Sequence, residues 1–270
     1  VTGTTVGATH DGPTVPCGCT SDADVWYRFT LTQREVVYLD TAGSALDTSL
    51  SITNDRGEPV AGQTASGNGN AGLCNDDSGC STGGFTSVFN SRTAGVLGAG
   101  TWYVAVGGCG TGAFTLRVQH LPTATGSYFY DDRLQGDSTT STVLVGASRI
   151  AGTCGGTASG EDVRWFTTCG ATQQFFSLCA SDRGSFTRRS GTTSYDPSLY
   201  LRSALTNSES TCNDDGGTMG GSDCRGTGGD TLQYGSRLNN VTVGRGLHAL
   251  VVDERTGGSG MSYTLRYIVR

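Results

Sequence analysis

Asp47-Thr48-Ser49-Leu50-Ser51-Ile52 and Asp196-Pro197-Ser198-Leu199-Tyr200-Leu201 read as two versions of one strand. Both open on Asp and share apolar residues at their fourth and sixth positions, a partial alternation of the period expected of a strand. Working outward, Cys74-Asn75-Asp76-Asp77 returns as Cys212-Asn213-Asp214-Asp215. Upstream, Asp24-Val25-Trp26-Tyr27-Arg28-Phe29 is echoed by Asp162-Val163-Arg164-Trp165-Phe166. Downstream, Gly100-Thr101-Trp102-Tyr103-Val104-Ala105-Val106 answers Gly246-Leu247-His248-Ala249-Leu250-Val251-Val252. Phe114-Thr115-Leu116-Arg117-Val118 then answers Tyr263-Thr264-Leu265-Arg266-Tyr267. Five blocks keep their order, and the Asp-Val and Cys-Asn-Asp-Asp blocks are both displaced by 138 residues. A repeat of this kind implies two homologous domains, 1–121 and 122–270, meeting near Pro122 in the stretch Leu121 to Gly126.

The blocks carry strand chemistry. Val36-Val37-Tyr38-Leu39, Leu50-Ser51-Ile52 and Trp102 to Val106 are β-branched or aromatic runs bounded by Gly, Asn, Asp and Ser. No window keeps an apolar repeat of helical period for three turns, so almost no helix is expected. Short strands separated by Gly-rich turns predict an all-β fold, two tandem jelly-roll-like β-sandwiches.

At these blocks the sequence resembles the bacterial pre-peptidase C-terminal (PPC) domain. That family strings together an Asp-Val-aromatic-x-Phe strand, an Asp-x-x-Leu-x-Ile strand and an Asn-Asp-Asp loop. A Gly-Thr-aromatic-x-Val strand and a final Gly-x-Phe-Thr-Leu-x-Val strand follow. The first copy has all five, ending in Gly112-Ala113-Phe114-Thr115-Leu116-Arg117-Val118. The second is looser: Arg245-Gly246-Leu247-His248 replaces Gly-Thr-aromatic, and its first strand is one residue shorter. The resemblance implies a secreted jelly-roll module, commonly appended to hydrolases or surface proteins and not itself catalytic.

Composition narrows the function classes. Of 270 residues, 43 are Gly, more than twice the usual share of about 7%. All 18 basic residues are Arg, which removes Schiff-base chemistry, a P-loop lysine and lysine isopeptide bonds. A net charge of −6 without basic runs argues against a nucleic-acid partner. No apolar stretch is long enough to span a bilayer as a helix. Ten Cys without paired C-x-x-C clusters favour disulfides over zinc, and so an oxidising, extracellular location. The start at Val1, without Met or a leader, suits a mature secreted chain.

Catalytic patterns are weak. No H-E-x-x-H occurs, the single G-x-S-x-G match, Gly79-Cys80-Ser81-Thr82-Gly83, lies in a Gly-rich loop and not in the strand-to-helix turn that a nucleophile elbow needs, and His10, His120 and His248 sit in no recognisable motif. The expectation is a non-enzymatic protein. The acidic loops are better suited to holding a structural Ca²⁺, with Asp47, Asn75, Asp76 and Asp77 in the first copy and Asp196, Asn213, Asp214 and Asp215 in the second as candidate ligands. The competing reading is that these Asn and Asp side chains cap backbone N–H groups in tight turns. Trp26, Trp102 and Trp165 fall on predicted strands and are expected in the core, although exposed aromatics could stack on sugars. Tyr128-Phe129-Tyr130 follows the interdomain stretch and is a candidate interface segment, with an ordinary edge strand as the alternative.

Each copy has five Cys: Cys17, Cys19, Cys74, Cys80 and Cys109, then Cys154, Cys169, Cys179, Cys212 and Cys224. Sequence proximity suggests Cys74–Cys80, Cys212–Cys224 and Cys169–Cys179, with Cys109 taking Cys17 or Cys19. That would leave one of the Cys17/Cys19 pair and Cys154 to meet within the chain, if their Cα atoms come within about 7 Å, or to join successive molecules head to tail. There are 40 residues between Leu121 and Asp162 but only 23 before Asp24, so the second copy has room for an N-terminal strand that the first lacks. A long loop there is the alternative. A first domain short of a strand would expose a sheet edge to another chain. The leading expectation is a secreted structural or adhesive protein that self-associates, as a homo-oligomer or filament. The alternative is a Ca²⁺-assisted module that targets a secreted hydrolase to extracellular protein or polysaccharide.

Overall fold

The Gly-punctuated runs become nineteen strands among the described residues, with one 3₁₀ turn at Ala180–Asp182 as the sole helical element there. The computed structural model describes residues 1–10, 12, 17–18, 23–60, 73–81, 89–121, 132–143, 150, 152–156, 160–187, 196–204, 208–215, 224, 235–255 and 262–270. Cys19 and Tyr128-Phe129-Tyr130 lie outside them. No helix among the described residues is long and apolar enough to cross a membrane. The chain forms two compact units.

Unit 1 comprises Val1–Leu121 together with the short segments Cys169–Ala171 and Gly244–Leu247. Its strands are β1 (Thr2–Thr4), β2 (Val25–Leu31), β3 (Glu35–Asp40), β4 (Thr48–Thr53), β5 (Cys74–Asn75), β6 (Arg92–Leu97), β7 (Gly100–Gly108), β8 (Ala113–Thr115) and β9 (Arg117–His120). One sheet runs β2-β7-β4-β5, a second runs β6-β3-β9, and β1 pairs antiparallel with β8. Leu31, Val37, Leu39, Leu50, Ile52 and Val104 join the shared core. β4 is buried along its whole length. Its outward Ser49 and Ser51 are covered because the N-terminal segment is tied across them by a Cys17–Cys74 disulfide. There Gly18, at φ +93°, lies so close that a Cβ would come 2.6 Å from the Cβ of Ser49.

Unit 2 is built on the same plan from β10 (Asp132–Arg133), β11 (Gly136–Val143), β12 (Asp162–Thr168), β13 (Thr172–Ser177), β14 (Ser185–Thr187), β15 (Pro197–Ser203), β16 (Glu209–Asn213), β17 (Arg237–Val243), β18 (Gly246–Glu254) and β19 (Ser262–Val269). The sheets run β10-β12-β18-β15-β16 and β11-β19-β13-β17, with β14 also on β19. The β11–β19, β13–β19, β13–β17, β14–β19, β15–β16 and β15–β18 pairs are antiparallel, and the two-residue β10–β12 contact is parallel. Phe166, Phe176, Leu199, Leu201, Leu250 and Leu265 anchor this core, and each is buried. The first two residues of β18, Gly246 and Leu247, group with unit 1.

The disulfides differ from those that proximity in sequence suggests. Cys74 pairs with Cys17, not Cys80, and Cys212 pairs with Cys154, not Cys224; both Cα separations are 6.0 Å. Cys224 pairs with Cys179, and Cys169 pairs with Cys80, not Cys179. The Cys17–Cys74 and Cys154–Cys212 bonds span 57 and 58 residues and are the same staple made twice, from N-terminal segment to acidic loop. The odd count per copy is resolved by the Cys80–Cys169 bond, with Cys169 lying in the β12–β13 turn that belongs to unit 1. Cys109 is also disulfide-bonded, and no described cysteine is free. Cys154 is therefore not available for the intermolecular bond considered above.

Candidate functional site

The acidic loops dock in the same manner in both units. In unit 1 the Asn75 Oδ1 accepts the Arg92 N–H at 2.8 Å, and its Nδ2 donates to the Asp77 carbonyl at 2.9 Å. In unit 2 the Asn213 Oδ1 accepts the Arg237 N–H at 2.9 Å. Ser91 donates to the Thr48 and Asp76 carbonyls, and Ser236 donates to those of Pro197 and Asp214. The two asparagines thus organise backbone, as the capping alternative has it, and their side-chain oxygens are engaged. The Ser-Arg pair that opens β6 and β17 is a further repeat element, visible as Asn90-Ser91-Arg92 and Gly235-Ser236-Arg237 but easily passed over in two short polar words.

The aspartates remain the candidate ligands. In unit 1 the Asp47 and Asp76 carboxylates and the Cys109 sulfur lie within 4.8 Å of one another. Cys109 is held in a disulfide and is no thiolate ligand, which leaves hard oxygen donors. Asp47 Oδ1 and Asp76 Oδ1 are buried with no hydrogen-bond donor. Burial raises both carboxyl pKa values, and the neighbouring Asp77 charge pushes each further the same way. In unit 2 Asp196 and Asp214 occupy the corresponding places, and burial raises both, Asp196 to about 6, with Asp214 and Asp215 adding to the Asp196 shift. Here the Arg255 guanidinium pairs with Asp214 and opposes those shifts. The Arg255 N–H bonds the Asp196 carbonyl as the Cys109 N–H bonds that of Asp47, so Arg255 and Cys109 are the same position in the repeat. Unit 2 carries its own cation where unit 1 carries a sulfur. A Ca²⁺ expected in both loops therefore suits unit 1 better, held by Asp47, Asp76 and Asp77 and without Asn75.

The larger difference between the units lies at one side of the sandwich. In unit 2, β11 covers β19 along its entire length, from Gly136 opposite Val269 to Val143 opposite Ser262. Just before it Leu134 bonds the Trp165 carbonyl at 2.8 Å and plugs the core, 2% exposed. In unit 1 the corresponding last strand is β8–β9, and β1 covers only Ala113–Thr115. Among the described strands none pairs with the outer side of β9. A cavity of about 340 Å³ opens there, walled by Phe29, Leu31, Val37 and Val118, with Glu35 and His120 at its polar end. The His120 Nδ1 lies 2.5 Å from the Glu35 carboxylate. Val118 is 44% exposed, whereas Tyr267, its counterpart in the repeat, is 8% exposed within the core of unit 2. The longer second spacer thus supplies β10 and a longer form of the strand that unit 1 has as β1, since β11 pairs with β19 at the positions where β1 pairs with β8 and continues beyond them to Gly136.

The histidines and tryptophans take varied positions. His248 is 6% exposed and stacks on Phe166, with its Nε2 3.3 Å from the Thr168 hydroxyl. Trp165 is fully buried, as expected of a core strand. Trp26 is not in the core: it sits on the outer face of β2, half-buried, with its Nε1 donating to Asp24 at 2.8 Å. It stands opposite Ala105, two residues from Tyr103 on β7, so the two rings share one face. They line a shallow depression of about 240 Å³ with Asn54, Asp55 and Arg56. The Asn54 side chain fixes that turn by accepting the N–H groups of Arg56 and Glu58 at 2.9 and 3.0 Å.

No family model matches the sequence, and no curated protein matches it. Among solved structures the chain is similar to the CUB1-EGF-CUB2 domain of human MASP-1/3, at 7% identity over 98% of this chain and 99% of that one, with a TM-score of 0.21. It is also similar to the ANX2 ectodomain of Arabidopsis thaliana, at 8% identity over 93% of this chain and 84% of that one, with a TM-score of 0.25. What the strands and their bonds establish is an all-β protein of disulfide-bonded sandwiches, a covalent chemistry that persists in oxidising surroundings.

Proposed function

We propose that the protein is a secreted, non-enzymatic structural or adhesive subunit that associates with copies of itself, each unit being a PPC-like module. The single observation behind this reading is the open side of unit 1. Its last strand is paired by β1 only at Ala113–Thr115, whereas β11 covers the whole of β19 in unit 2, and an apolar cavity opens beside β9. Unpaired strand edges beside exposed apolar surface favour addition of another strand. Because the described disulfides close within the chain, the association is non-covalent. Sedimentation velocity and electron microscopy across a concentration series should reveal species that grow beyond the monomer. A protein that stays monomeric up to its solubility limit is not such a subunit.

A second reading, a targeting module for polysaccharide or extracellular protein assisted by Ca²⁺, draws on the paired rings of Trp26 and Tyr103 and on the Asp47–Asp76 carboxylate pair. Aromatic faces framed by polar groups suit stacking on sugar rings. Retention on insoluble chitin, cellulose or collagen, weakened by chelator and by Trp26→Ala, is its expected signature. Failure to bind all three would count against it.

A further inference from the structure

We infer that the outer face of strands β2 and β7 is a binding strip for an acidic polysaccharide, whose sugar rings stack on Trp26 and Tyr103 and whose anionic groups pair with Arg28 and Arg56. This inference rests on the targeting reading above and names its class of ligand. Val25, Tyr27 and Phe29 of β2 and Trp102, Val104 and Val106 of β7 pack on the core, so the residues between them face outward. The register then sets Trp26 opposite Ala105, Arg28 opposite Tyr103 and Thr30 opposite Thr101. On its other side Tyr103 pairs with Thr53 of β4, which leads into the turn that carries Arg56. Rows two residues apart are separated by about 7 Å, so indole, guanidinium and hydroxyl succeed one another along one face. Unit 2 has no such strip, because β18, the repeat counterpart of β7, is buried at every position.

The groups of the strip are fixed before a ligand arrives. The Trp26 Nε1 donates to Asp24 at 2.8 Å, and Gly12 lies so close that a Cβ there would come 2.4 Å from the indole. The Asn54 side chain holds the Arg56 turn. A ring already held in place loses little rotamer freedom on binding, and its open area suits the apolar face of a pyranose. Charge then selects among sugars. Arg28 and Arg56 are exposed and have no ion-pair partner among the described residues. Of the nearby acids, Asp24 is engaged by Trp26 and by His10, 3.6 Å away, and Glu58 accepts the Asn54 Nδ2 at 2.7 Å. Asp55 lines the same depression and suits a sugar hydroxyl. In a chain of net charge −6, this face therefore sets two unengaged cations against one unengaged anion among the described residues. A guanidinium grips an oxyanion through paired N–H donors, an interaction that a neutral glycan cannot return.

The test runs the intact protein through native gels cast with polygalacturonate, dextran sulfate or neutral hydroxyethylcellulose and reads dissociation constants from the retardation. Retardation by an acidic polymer and none by the neutral one is the expected result, and the two acidic gels separate a carboxylate from a sulfate as the partner group. Trp26→Ala, Tyr103→Ala and the double change Arg28→Gln with Arg56→Gln should each weaken that binding by about tenfold or more, with unchanged far-ultraviolet circular dichroism. Should Trp26→Ala misfold, the Tyr103 and arginine variants decide. Equal retardation by the neutral polymer overturns the inference and leaves the targeting reading standing. Acidic retardation that survives either the aromatic or the arginine substitutions also overturns it, since no sugar site at this face is then at work. No retardation in any gel overturns it as well, and the binding to chitin, cellulose and collagen described above then decides whether the targeting reading falls too.

Discussion

Cys109 and Arg255 hold one position of the repeat, yet only Arg255 sets a cation beside its carboxylate neighbours. Arg255 neutralises part of the charge on Asp196 and Asp214, whereas Asp47 and Asp76 have no such cation beside them in the ion pairs described. Replacing Arg255 with Ala is expected to lower stability at pH 8 by about 1 kcal/mol, since the pair is partly exposed. The same change should also make unit 2 respond to Ca²⁺ in a thermal-shift titration, as unit 1 is expected to do unaided. The buried acids carry a pH signature too. Asp253 and Glu254 are raised to about 7 and Asp196 to about 6, in each case chiefly by burial. Their ordinary values are 3.8 for Asp and 4.5 for Glu, so the folded state holds protons that the unfolded chain releases. The resulting stability is fully present below the unfolded values and is lost as pH rises through 6 to 7. Without added metal, the unfolding temperature is therefore expected to be higher at pH 5 than at pH 8, with a shallower slope in Asp253→Asn. A flat profile would contradict these environments.

At the scale of elements, Leu134 and β11 separate what the sequence makes readable from what it leaves hidden. Strands such as Asp162–Thr168 and Gly246–Glu254 announce themselves through dense β-branched and aromatic runs. β11 is Gly-Asp-Ser-Thr-Thr-Ser-Thr-Val, with little apolar content to mark it; only the unequal spacer lengths hint at an added strand. The disulfides are hidden for a different reason. A pairing rule based on nearness along the chain ignores the sandwich, which brings an N-terminal segment onto the acidic loop 57 residues away. The equivalence of Cys17 with Cys154 and of Cys74 with Cys212 is the legible clue, because homologous copies repeat their staples. Of the candidate site, the aspartates are placed by the Cys-Asn-Asp-Asp block. The backbone duties of Asn75 and Asn213 depend on strands β6 and β17 that lie far downstream. Leu134→Ala should cost about 2–4 kcal/mol, measured by denaturant unfolding, because it empties a filled core site. Val118→Ala, at the matching side of unit 1, should be nearly neutral in the monomer.

For the whole molecule, the order of the bonds along the chain matters as much as their number. Cys17 joins Cys74, Cys80 joins Cys169, and Cys179 joins Cys224. A protease that cuts once between Cys80 and Cys169 should release two fragments on a reducing gel but none on a non-reducing one. The same route governs how the molecule carries tension. A pull between its ends travels to Cys17, crosses to Cys74, crosses again from Cys80 to Cys169, and crosses a third time from Cys179 to Cys224. Most of the polypeptide lies off that path and bears no load, including the greater part of the 89 residues spanned by the second crossing. Reduction would bring this slack into the line of force, at about 3.5 Å for each residue released. Single-molecule pulling should therefore record a short, stiff tether when oxidised and a much longer one in thiol. The molecule's resistance to extension is thus expected to reside in sulfur and not in its length of polypeptide.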